Sequence, residues 1–191
     1  MAVVLSAILS SCVQKPTAEA HYVNIDSILR VQKKILSASR TLLTREIRLN
    51  DKIVRDSSTN LDSTGWAIEL DEFSRLAAIN KPTYSGTFTI EDGLRDPNSN
   101  LKVKAFINRN NLPIKYVKVY YQNDPFTLRK IESLYAEGDK NPLYKTSRIL
   151  LLEFRDVYNK TILSSYSIKG GQKIVAGDTI EFTIQGKITI E

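Results

Sequence analysis

Residues 144–155 read Tyr-Lys-Thr-Ser-Arg-Ile-Leu-Leu-Leu-Glu-Phe-Arg. The run Ile149-Leu150-Leu151-Leu152, followed by Phe154, is apolar at both parities. A strand with one solvated face alternates, whereas a strand buried on both faces reads as a continuous apolar run. This stretch therefore predicts a central strand, with a helix on one side. A second helix, a curl of the sheet or a bound partner is expected on the other.

Outward from this strand the period stays at two. Segments 87–91, 101–108, 114–122, 127–135, 161–169 and 179–191 are rich in β-branched and aromatic residues and read as strands. Leu101, Val103, Ala105 and Ile107 alternate with polar residues apart from Phe106, and Ile180, Phe182 and Ile184 do the same. Turn signals separate the segments, among them Asp92-Gly93, Asp96-Pro97, Asn123-Asp124-Pro125, Tyr158-Asn159-Lys160 and Gly170-Gly171. No interval is long enough for a crossover helix, so the strands are expected to pair antiparallel as a meander.

On the N-terminal side the period lengthens. Between 25 and 56, Ile25, Ile28, Leu29, Ile35, Leu36, Leu42, Leu43, Leu49 and Ile53 recur at spacings of three, four and seven. That pattern predicts one long amphipathic helix, opened by Asn24 or Asp26 as the cap. Its outer face, with Arg30, Lys33, Lys34, Arg45, Arg48 and Arg55, permits a membrane surface or a coiled-coil partner; covering the strands is the simpler role. After the polar loop 56–65, a second helix is expected over 66–79 with Trp66, Leu70, Phe73 and Ala77 on one side, ended by Pro82. The predicted class is α+β. A long N-terminal helix and a shorter one pack on an antiparallel meander sheet of six or seven strands. One domain is expected over 23–191, helical over 23–81 and a sheet over 84–191.

The chain begins differently. Residues 2–9 are uncharged and mostly apolar, and Leu9-Ser10-Ser11-Cys12 closes the run at the only cysteine. This arrangement resembles the lipobox of bacterial lipoprotein precursors, although no Lys or Arg precedes Lys15. The resemblance implies that residues 1–11 are a signal peptide and that Cys12 is acylated. It also implies a protein that hangs from a lipid bilayer. Val13 and Gln14, rather than an aspartate, follow the cysteine; the resemblance then implies the outer membrane, on its periplasmic face. Residues 12–22 read as a flexible tether. Spanning a bilayer takes about 20 apolar residues, and this run breaks at Gln14-Lys15-Pro16. A lipidated cysteine leaves no disulfide, so the domain relies on its core. At about 180 residues that is feasible, since a domain near 150 buries about 68–70% of its unfolded surface.

Composition is that of a globular domain, 42% hydrophobic and 25% charged, with a net charge of +6. The basic excess favours solubility and anionic partners; nucleic acid is not expected of an exported protein. The single histidine, His21, lies in the tether. Histidine-based triads and His-rich zinc sites are thereby excluded, and no GxSxG, GxGxxG or P-loop is present. Asp92, Asp96, Asp124 and Asp139 lie in loops without the spacing of a calcium loop. Lys115, Tyr116, Lys118, Tyr120 and Tyr121 interleave bases and aromatics, with Tyr144, Lys145 and Arg148 expected nearby. Such a set stacks sugars or bases, or simply makes cross-strand pairs. No catalytic, metal or cofactor residue is assigned, and the one site residue is Cys12. The expected function is non-enzymatic binding at the cell envelope. The alternatives are a hydrolase using carboxylates alone, marked by a pocket holding close carboxylates, and a structural subunit packing through an uncovered helix face.

Overall fold

The computed structural model describes residues 22–124, 127–137, 144–174 and 179–190. The lipobox, Cys12, His21, Pro125 and Asp139 lie outside these residues. Helix α1 spans Ile25–Ser37, and strands β1 and β2 span Thr41–Leu49 and Lys52–Thr59. Helices α2 and α3, Ser63–Glu69 and Asp71–Ser74, follow, and 3-10 turns occupy Arg75–Asn80 and Pro82–Tyr84. Then come β3 (Phe88–Arg95), β4 (Lys102–Asn108), β5 (Ile114–Tyr121), β6 (Leu128–Glu137), β7 (Tyr144–Val157), β8 (Lys160–Ile174) and β9 (Thr179–Ile190). The strands form a single antiparallel sheet in the order β2-β1-β9-β8-β7-β6-β5-β4-β3.

The expected α+β layout with a long N-terminal helix is not what forms. Among the described residues the structure is mostly a nine-stranded sheet, 57% strand and 21% helix. Helix α1 stops at Ser37, and the Ser39 hydroxyl donates to the Ile35 carbonyl at its end. Residues 41–59 form a hairpin instead, turned by Asn50-Asp51 between the paired Leu49 and Lys52. Asn50 sits at φ +48, the left-handed conformation a two-residue hairpin turn requires and asparagine tolerates. The sevenfold spacing misled because Leu43, Ile47 and Leu49 also satisfy period two. The hairpin pairs with β9 from Thr41↔Ile190 to Leu49↔Phe182. The hairpin thus joins the last strand and extends the sheet at one edge, and the sheet gains two strands beyond the seven expected.

The expected helix over 66–79 is broken at Leu70 and ends as 3-10 turns. Trp66, Leu70 and Phe73 are still buried. The seven expected strands all form as consecutive neighbours. Gly170-Gly171 is not a turn but lies inside β8, and Asp92-Gly93 forms a bulge inside β3, where pairing skips from Glu91 to Leu94.

All helices sit on one face. Along α1, Ile25, Leu29, Gln32 and Leu36 are buried at spacings of four, three and four, with Asn24 as the cap. With Trp66, Phe73 and Leu76 they pack on Phe106, Val117, Ile131, Leu150, Leu152 and Ile168. Tyr22 joins this core edge-on to Phe88 and Phe106, at 5.4 and 5.7 Å. Phe106, the residue that interrupts the alternation of its strand, faces the helices; Val103 and Ala105 are buried on the opposite side of β4.

Strand β7 is the central strand, with four neighbours on each side. Cover of both its faces from within the chain is not seen among the described residues. Leu150, Leu152 and Phe154 are buried against the helices, but Ile149 is 44% exposed and Leu151 is half-buried on the other face. Among the described residues no element covers that second face. Leu150 and Leu152 of the apolar run are buried, whereas Ile35 and Leu42 of the predicted helical stripe and Phe182 of the last strand are half-buried.

Candidate functional site

Residues directly opposite one another in an antiparallel sheet share a face, so the registers assign the open face row by row. One row is Glu153–Ser165–Lys187–Thr44–Ser57, the next Leu151–Ser167–Gln185–Glu46–Arg55, and the third Ile149–Lys169–Thr183–Arg48–Ile53. Each crosses five strands, from β7 to β2. At about 4.8 Å per strand the floor is about 19 Å wide. Over it lies a groove of about 960 Å³, within the size of ordinary ligand sites.

The groove deepens where the sheet forks. Pairing of β8 with β9 ends at Ser165↔Lys187. Beyond it Ile188, Thr189 and Ile190 pair with β1 alone, and residues 160–163 pair with β7 alone. From the helix side, Gln32 closes the fork: its side-chain amide donates to the Thr161 carbonyl at 3.0 Å and accepts from the Leu163 amide at 2.8 Å. The Gln32 amide takes the place of the missing strand, which explains why a buried polar residue stands in the stripe of α1. On the open side, Ser164 is the extra residue of a bulge between Glu153↔Ser165 and Phe154↔Leu163. Bulges are enriched beside functional sites because they re-aim side chains, and Ser164 lines the groove.

The carboxylates of the groove are engaged. Glu46 accepts from Arg55 at 2.9 Å and from Arg48 at 3.5 Å; the Arg55 hydrogen bond holds it below the usual carboxylate range. Glu153 accepts the Ser165 hydroxyl at 2.6 Å; Asp56, in the neighbouring row that faces the helices, pairs with Arg45 at 2.6 Å. Arg155, Lys169 and Lys187 also line the groove and make no ion pair among the described residues. A general acid needs a carboxyl raised toward neutrality; Glu46 is shifted the other way.

The interleaved bases and aromatics are split by the pleat. Tyr116, Lys118 and Tyr120 share the open face, beside the groove. Tyr116 and Tyr120 both donate to Glu132, at 3.0 and 3.4 Å. Lys118 and Lys130 stand over their rings, 4.8 and 3.7 Å from the centroids. Burial and the Glu132 charge push the Tyr116 phenol up to about 12 and Tyr120 higher still. Tyr121 points to the other face and donates to Asp92; Arg148 pairs with Glu72 of α3 under the helices. Lys145 is exposed on β7. Asp92 and Asp96 serve local bonds to Lys104 and Ser99, not a shared cation. Among the described residues no group of three His, Cys, Asp or Glu is placed to hold a metal ion, and no helix is long and apolar enough to cross a membrane.

The groove residues escaped sequence reasoning because they come from five strands that the chain order separates. The one local signal was the row of alternate small polar residues, Ser165 and Ser167 ahead of Lys169. No protein-family model matches the chain, and neither a curated protein nor a solved structure matches it.

Proposed function

We propose that this chain is a cell-envelope lipoprotein, tethered to the bilayer through acylated Cys12, and that it acts as a non-enzymatic binding module whose ligand lies in the groove of the open sheet face. The observation that carries the binding role is the forked, uncovered face itself. A nine-stranded sheet keeps its described helices on one side and leaves the groove on the other, from β7 to β2, open to solvent. The carboxylates there are ion-paired or hydrogen-bonded, which favours binding over hydrolysis. The anchor rests on Leu9-Ser10-Ser11-Cys12, and Val13-Gln14 supports the outer membrane with the domain on the periplasmic side. Nucleic acid is not part of this reading.

Two measurements test it. Radiolabelled palmitate is expected to label the wild type and not Cys12→Ala; a wild type that takes no label removes the anchor. The full chain, purified from membranes, is expected to carry a co-purifying ligand that Ser167→Tyr, which fills the groove floor, no longer retains. Equal retention by both chains removes the groove. Reproducible turnover of an ester, peptide, glycoside or phosphate substrate, abolished by replacing Glu46 or Glu153, would make the chain an enzyme.

A further inference from the structure

The groove has a charge and a chemistry of its own. Of the two carboxylates on the open face, Glu46 is cancelled locally by Arg55; Asp56 and its partner Arg45 lie in the row of Leu152 and Tyr166, on the helix side. That leaves three cations, Arg155, Lys169 and Lys187, against Glu153 alone. Lys187 stands at the fork, opposite Ser165. Arg155 is two residues along β7 from Glu153, on the same side of the fork. Both side chains are long enough to converge on one anion beside Ser164 and Ser165. Lys169 lies four residues from Ser165 along β8, about 13 Å away. It is placed to meet a second negative group further along the same ligand.

Much of the rest of the lining is hydroxyl and amide. Thr44, Ser57, Ser164, Ser165, Ser167 and Gln185 line the groove, and Leu151, Ile188 and Tyr166 are its apolar members. Side-chain hydroxyls both donate and accept, as the hydroxyls of a sugar do. A peptide binds a sheet through its backbone at a strand edge. Here most of the floor lies on a sheet face whose backbone groups are consumed by the ladder; the unpaired edges at the fork are short, and Gln32 occupies the Thr161 carbonyl and the Leu163 amide. The neighbouring Tyr116 and Tyr120 rings are already covered by Lys118 and Lys130, so they offer no stacking platform.

We infer that the groove binds an anionic saccharide, a hydroxyl-rich chain bearing carboxylate or phosphate groups, with Arg155 and Lys187 gripping one anionic group at the fork and Lys169 a second. This rests on the groove reading above and names its ligand class. It applies to the full chain in detergent, followed by amide chemical shifts and calorimetry with three probes: tetragalacturonate, neutral maltotetraose and a tetraglutamate peptide. Tetragalacturonate is expected to shift amides of β8 and β9 around the fork, and to bind less tightly in high salt. Arg155→Gln and Lys187→Gln should each weaken it about tenfold or more, the scale of one charge-assisted hydrogen bond. Lys34→Gln, on the exposed side of α1, should not. Melting curves of the three variants check that the fold is kept. Equal binding of maltotetraose, indifferent to both substitutions, overturns the anionic assignment and leaves the groove reading standing. Tighter binding of tetraglutamate overturns the saccharide. No shift at the fork with any probe overturns the inference as a whole, while retention of the co-purified ligand decides the groove reading separately. A saccharide carrying phosphate in place of carboxylate is distinguished by repeating the titration with glucose 6-phosphate against glucose.

Discussion

The ring of Tyr166 lies across the bare Cα of Gly186 on the adjacent strand: a Cβ there would sit 2.1 Å from a ring carbon. The two residues are directly paired in the register of β8 and β9. Four residues along β8, Gly170 pairs with Phe182 in the reverse sense, and a Cβ on Gly170 would come within 2.6 Å of that ring. Aromatic rings thus cover glycines in both directions, a device that pins the register of a pair. The Tyr166 hydroxyl reaches through to Glu69 of α2, which also accepts from Arg45 of β1 at 2.8 Å. The ring therefore links the sheet, the hairpin and the helical layer.

Gly186→Ala should force the Tyr166 ring off its seat. Overpacking typically costs about 1–3 kcal/mol, and here the Glu69 bond goes with it. Urea denaturation should show a loss at or above that range, larger than for Gly171→Ala, whose nearest outside atom is 3.6 Å away.

Gln32→Leu keeps the volume of the side chain but leaves the Leu163 amide and the Thr161 carbonyl without their partner. A stranded buried polar group costs about 1–3 kcal/mol. Equilibrium unfolding should therefore show a loss of about 2–4 kcal/mol, and hydrogen exchange should quicken at Leu163. An unchanged exchange rate there would mean that Gln32 does not close the fork.

The two faces of β7 should respond differently to truncation. Leu150→Ala and Leu152→Ala should each lower stability by about 2–5 kcal/mol. Ile149→Ala, at a side chain 44% exposed, should stay below about 1 kcal/mol. Equal losses on both faces would mean that something covers the open face.

Acid should weaken the fold through particular carboxylates. Glu46, Asp92 and Asp156 are held below their ordinary range by hydrogen bonds from Arg55, Lys104 and Arg129. A depressed folded pKa contributes stability above the unfolded value, about 4 for a carboxylate, and that contribution is lost as pH falls through the folded value. The urea midpoint should hold from pH 6 to about 4 and then decline, less steeply in Asp156→Asn.

Alkali acts with the opposite sign. Burial, then Glu132 for Tyr116 and Glu137 for Tyr135, pushes both phenols up to about 12, and Tyr120 and Tyr166 go higher. A raised folded pKa contributes stability below the unfolded value, about 10, and loses it as pH rises through the folded one. Absorbance titration of the native protein should therefore show only part of the nine tyrosines ionising before about pH 11. The remainder should ionise together with unfolding.

Local chemistry made much of this architecture readable. Seven strands and their antiparallel order follow from period two and from turns such as Tyr158-Asn159, both at positive φ. The central place of β7 follows from Ile149-Leu150-Leu151-Leu152, and the cap of α1 from Asn24. Where local patterns agree with two structures, tertiary pairing chose between them. Residues 41–59 satisfy both a helical stripe and a hairpin. The free edge of β9 selects the hairpin, because strands Thr41–Leu49 and Thr179–Ile190 satisfy each other's backbone along nine pairs. Asn50-Asp51 was the signal that pointed there.

Side-chain type and alternation, which act over a few residues, thus determined the strands, the first helix and the sheet's antiparallel sense. The groove, the fork closed by Gln32, the glycines beneath Tyr166 and Phe182, and the uncovered face of β7 were decided only in three dimensions. The fork joins residues 131 positions apart and the groove residues 143 apart, and no local propensity reports whether a distant segment will lie on a given face or leave it bare.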